Sequence, residues 1–111
     1  MILFWNLNYM KKSDGFKETK STLISCLKNG NIQHEARKNI DLKNLLSTGE
    51  ISIDDLIKIL NKSRGNEHET SAHHFDNSID VHIIKTNFSG VYWYIKWYFL
   101  SPECVFISVH N

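Results

Sequence analysis

From residue 79 to residue 109 the chain reads as strand, tight connection, strand, tight connection, strand, and this pattern limits the fold more than any other feature. The runs 79–86, 91–100 and 104–109 are rich in β-branched and aromatic residues. Asn87-Phe88-Ser89-Gly90 and Ser101-Pro102-Glu103 separate them and are short enough to be hairpin connections. Sequential hairpins make an antiparallel meander, which normally has one face covered by helices and one face open.

The preceding sequence supplies the helices. Ser13 and Asp14 are good N-cap residues, Phe16, Leu23, Ile24 and Leu27 share one helical face, and Gly30 closes the segment. A second helix is expected over 35–46, with Ile40, Leu42, Leu45 and Leu46 on its apolar side and Gly49 as its stop. A third starts at Ser52, where Asp55 stands at capping-box spacing. It carries Ile53, Leu56, Ile57 and Leu60 at helical spacing and ends at Gly65. Residues 66–77 are polar and suit a loop or a short edge strand. The expectation is one α+β domain over 1–111, with N-terminal helices packed on one face of a C-terminal antiparallel sheet.

Residues 1–12 are expected to be a first strand or a loosely packed arm. Their apolar run is about half of what a bilayer span requires, and it lacks the basic start and cleavage site of a signal peptide. Met10 is an alternative start. The expected setting is therefore cytoplasmic, with no membrane partner. An apolar fraction of 41% against 23% charged residues is that of a folded globular chain.

Alternation sorts the strand side chains. In 91–100, Val91, Trp93, Ile95, Trp97 and Phe99 form the core face, and Tyr92, Tyr94, Lys96, Tyr98 and Leu100 point the other way. In 104–109, Val105, Ile107 and Val109 match the core, leaving Cys104, Phe106, Ser108 and His110 opposite. In 79–86, Ile79, Val81, Ile83 and Lys85 are read as inward, leaving Asp80, His82, Ile84 and Thr86 outward. The outer face thus collects Asp80, His82, Tyr92, Tyr94, Lys96, Ser108 and His110. Aromatics interleaved with a cation and imidazoles suit a single-stranded nucleic acid, whose bases stack and whose phosphates need neutralising. Tyrosine and lysine are equally ordinary on a solvated sheet face.

Charge is unevenly spread. Residues 1–64 hold eleven Lys/Arg against seven Asp/Glu, and residues 65–111 hold two against five, together with five of the six histidines. The C-terminal part therefore offers titratable groups in place of fixed positive charge. His73-His74-Phe75-Asp76 with His82 has no recognised metal-ligand spacing, so no metal or cofactor is expected. Cys26 and Cys104 form no CxxC motif and are expected as free thiols. Cys104 with His110 is formally a nucleophile pair.

Gly90-Val-Tyr-Trp-Tyr94-Ile-Lys96, a short turn, and Val105-Phe-Ile-Ser108-Val-His110 resemble the end of the MqsR-type toxins of the wider RelE-like group of small bacterial ribonucleases. The helix at 53–60, a Thr/Ser-rich loop and Asp80-Val81-His82 follow in the matching order, so the resemblance spans about residues 35–111. It places Tyr94 at the family's strand tyrosine, Lys96 at the lysine after it, and His110 at the terminal catalytic lysine. It departs at Glu67-His68-Glu69, where the family has another lysine, and at Ile79, where it has a glutamine.

The resemblance implies a metal-independent endoribonuclease of a toxin-antitoxin pair, acting on messenger RNA, free or ribosome-associated, and covered by a small antitoxin. The RNA 2′-hydroxyl attacks the adjacent phosphate, which needs a base, an acid and a cation. His110 with His73, His74 or His82 would divide the proton transfers, Tyr94 would orient or stack, and Lys96, Tyr92, Tyr98 and Ser108 would bind RNA. The competing reading is a non-catalytic immunity or phage-encoded inhibitor protein that binds a partner through the same sheet. The low fixed positive charge of residues 65–111 favours it.

Overall fold

The computed structural model describes residues 2–35 and 43–111, with residues 2–14 described as backbone only. The order is α1 (Ile2–Asn29), β1 (Ile32–His34), α2 (Ile53–Lys62), a 3₁₀ turn (Gly65–Glu67), β2 (His68–Ala72), β3 (Asp80–Phe88), β4 (Val91–Leu100) and β5 (Glu103–His110). The strands form one mixed sheet in the order β1-β5-β4-β3-β2; among the strands of the described residues, β1–β5 is the one parallel pair.

The helix ends follow local chemistry. α1 stops at Gly30, whose φ of 75° suits a residue without Cβ. The Asn31 N–H reaches the Cys26 carbonyl and the Gly30 N–H reaches that of Leu27, the paired bonds of a Schellman cap. α2 begins with a full capping box. The Ser52 hydroxyl accepts the Asp55 N–H at 3.0 Å, and the Asp55 carboxylate accepts the Ser52 N–H at 3.3 Å. It finishes at Lys62, before Gly65. There the buried Ser63 donates its hydroxyl to the Leu60 carbonyl, and the Lys20 ammonium of α1 donates to the Ser63 carbonyl.

Leu23, Cys26 and Leu27 of α1 and Leu56, Ile59 and Leu60 of α2 pack on a sheet face formed by Ile84, Trp93, Ile95, Trp97, Cys104, Phe106 and Val109. The β3–β4 hairpin turns through Ser89 and Gly90, with φ of 53° and 83°. Two consecutive positive φ values give the type I′ geometry that matches strand twist.

Several expectations change. Ser13 and Asp14 lie inside α1, and residues 2–12 continue that helix as backbone; they form no strand. A short polar residue costs under about 1 kcal/mol inside a helix, so it does not by itself start one. The helix expected over 35–46 falls mostly on residues 36–42, outside the described residues. Beyond them Asn44 bridges to Val109 and residues 45–49 form turns. The three-residue β1 is too short to show alternation.

Two strands also differ in face. Ile84 pairs with Ile95, so Ile84, His82 and Thr86 lie on the helix side and Val81, Ile83 and Lys85 on the outer side, the reverse of the expected assignment. In β5 the register slips between Lys96 and Trp97: Lys96 faces Ser108, but Trp97 faces Phe106. This bulge leaves Val109 on the core side and brings Phe106 and Cys104 there as well, while Val105 moves to the outer side. The outer face is therefore only partly open. Val81, Ile83, Val105, Ile107 and Ser108 are all buried.

Candidate functional site

At the hairpin end of the outer face, three strands place one residue each in a row. Lys85 of β3 pairs with Tyr94 of β4, and Tyr94 pairs with His110 of β5. The Tyr94 and His110 rings stack, with centroids 5.0 Å apart and planes 17° from parallel. All three residues, with Tyr92, Trp93 and Asn111, line a recess of about 230 Å³. Tyr92 is 70% exposed at its rim. Lys85 reaches Glu69 at 3.4 Å, with both side chains more than half exposed, so this ion pair exchanges readily with water.

Lys96 lies two residues along β4 on the same face, half-buried and opposite Ser108. Ser108 is only 2% exposed, which removes it from the expected RNA contacts. Tyr98, two residues further on, is half-buried and meets the His73 ring edge-on at 4.8 Å.

The remaining histidines separate into distinct environments. His73 is buried and committed to its loop: its Nδ1 accepts the N–H groups of Phe75 and Asp76, and its Nε2 faces Glu35 at 3.7 Å. An Nδ1 already accepting hydrogen bonds is poorly placed to take a substrate proton. His74 is exposed, with its ring beside Phe75. His82 stands on the helix side, stacked on Trp97 and bonded to His68. It cannot work with His110 across the sheet, because one residue of register sends a side chain to the opposite face. Burial, then the neighbouring His68, pushes the His82 pKa down to about 4.

Cys104 is buried on the helix side, opposite in face to His110, and burial pushes its thiol up to about 12. A thiol so hard to ionise is no nucleophile. Among the described residues no three His, Cys, Asp or Glu side chains gather into a metal-binding group.

Lys85 is the site residue that alternation missed. A lysine read as pointing into a helix-covered core is the signal that could have located it, because unpaired lysines are almost never fully buried.

The chain matches no family model and no curated protein. Among the described residues no helix is long and apolar enough to cross a membrane.

Proposed function

We propose that this protein is a metal-independent endoribonuclease of the toxin type, with a RelE-like arrangement of helices on a sheet and its site on the Lys85–Tyr94–His110 row. The observation that carries the reading is the stack of His110 on Tyr94 inside a recess with a lysine on the neighbouring strand. That arrangement offers a base, an aromatic platform and a cation within three adjacent strands.

In this reading a base of a single-stranded RNA packs against Tyr92 and Tyr94, as bases do on exposed aromatic rings. His110 takes the proton from the 2′-hydroxyl, whose oxygen attacks the adjacent phosphorus. The bond to the 5′-oxygen breaks, and the Lys85 ammonium gives that oxygen its proton. A 2′,3′-cyclic phosphate and a free 5′-hydroxyl result, with no redox change. Lys96 holds the phosphate and offsets its developing charge. A cytoplasmic antitoxin that covers the recess would keep the enzyme silent. The test is induced expression in bacteria: the reading requires growth arrest with loss of messenger RNA, and His110→Ala must abolish both.

A binding module is the second reading. Phe75, 80% exposed, and Leu100, 53% exposed, favour it, because large apolar side chains held in water are common at protein contacts. Normal growth with intact messenger RNA would select it.

A further inference from the structure

A second concavity lies at the free edge of β3. His68, the first residue of β2, pairs with Ile84, so residues 85–88 of β3 run past the end of their neighbour. The end of α2 and the 3₁₀ turn flank that unpaired stretch and leave a cleft of about 370 Å³, lined among others by Lys62, Arg64, Glu67, Thr86, Asn87 and Ser89.

The charge in this cleft is unbalanced. Lys62 and Arg64 are exposed, and neither side chain has a carboxylate partner among the described residues. Among the described residues Glu67 is the one acid in the lining. Its Oε1 already accepts the Arg64 backbone N–H at 2.7 Å and the Thr86 hydroxyl at 3.0 Å. Two fixed cations against one carboxylate leave the lining at +1. The hairpin wall is tied by the Gly90 N–H donating to Asn87 Oδ1, which leaves the Asn87 amide nitrogen as the donor of that side chain.

We propose that this cleft holds a backbone phosphodiester of the RNA strand whose neighbouring nucleotide lies on Tyr92, an inference that rests on the RNA reading of the outer face. A phosphodiester carries one negative charge and matches a lining of +1. A phosphomonoester carries nearly two, and Glu67 opposes the second. The placement fits as well. Asn87 pairs directly with Tyr92, so cleft and aromatic rim stand one strand spacing apart, about 4.8 Å. A strand crossing the hairpin end would meet the rim and the cleft in succession.

The experiment titrates the full chain with a labelled 2′-O-methyl RNA of about 10 nucleotides, which cannot be cleaved, over a series of salt concentrations. The Lys62→Gln/Arg64→Gln variant should bind several-fold more weakly. Its plot of log affinity against log salt should flatten by about 0.7, the contribution of one phosphate on a single strand. Lys62→Arg/Arg64→Lys, which keeps both charges, should retain the parental slope, and so should Lys58→Gln on the exposed side of α2. An unchanged slope in the double glutamine variant, with binding lost in Tyr94→Ala, overturns the cleft while leaving the RNA reading in place. No binding by the parent at any salt concentration overturns that reading and this inference together.

Discussion

The Nε2 of His68 and the Nδ1 of His82 face each other at 3.0 Å, with ring planes 12° apart and centroids at 5.2 Å. Ring nitrogens lie on the perimeter, so these distances describe rings meeting edge to edge. One nitrogen donates and the other accepts. A proton on both facing nitrogens would destroy the bond, and the half-buried setting between Phe16 and Trp97 disfavours charge in any case.

This pair makes the fold acid-sensitive. Burial first, then the charge of His68, lowers His82 from 6.5 to about 4, against a smaller opposing pull from Asp80. Burial lowers His68 as well. A histidine with a depressed folded pKa binds fewer protons than its unfolded counterpart, so stability rises with pH. The contribution is complete above about 6.5 and is lost as the pH falls toward about 4. Melting temperatures at several pH values between 7.5 and 4 (roughly the window in which histidines titrate) should fall on acidification, and less steeply in His82→Gln. Parallel curves for the two proteins would remove His82 as the cause.

The capping box of α2 should be measurable separately. Ser52→Ala loses the acceptor for the Asp55 N–H and should cost about 1 kcal/mol, within a usual range of roughly 0.5–2. A denaturant titration reads this directly. A change below about 0.3 kcal/mol would mean that the cap adds little to α2.

How far the sequence revealed the fold differs from strand to strand. β4 was readable apart from its first residue, Val91, which is exposed at the hairpin end, because Gly90 and Pro102 bracket a ten-residue run whose alternate members are large and apolar. β3 was not, because both of its faces are buried: Val81 and Ile83 on one, Ile84 and Thr86 on the other. Alternation cannot choose between two apolar faces, and the lysine at 85 was the only strong vote. In β5 a single bulge exchanged Val105 for Phe106 and Cys104 on the core side, a change that no periodicity records. The Tyr94–His110 contact was legible as a shared face. Its partner Lys85 was hidden by the β3 misreading.

Trp97 and Lys85 should separate stability from activity. Trp97 is wholly buried in the core cluster to which both helices contribute, so Trp97→Ala should cost about 3–5 kcal/mol and show in a thermal melt. Lys85 is exposed, so Lys85→Ala should change stability by less than about 0.5 kcal/mol. It should still slow cleavage by about 100-fold to 10,000-fold, the usual loss on removing a general acid. A Lys85→Ala enzyme with the parent's rate would exclude that residue from the chemistry.

The role of His110 as the base is decided by its variant in a chelator-treated cleavage assay. The purified chain, in excess EDTA, is mixed with single-stranded RNA, and the 3′-ends of the products are analysed. Cleavage with 2′,3′-cyclic phosphate ends is expected. His110→Ala should lose about 100-fold to 10,000-fold in rate, with the melt unchanged. Intact RNA with the parent chain, or a His110→Ala protein that cuts as fast as the parent, would contradict it.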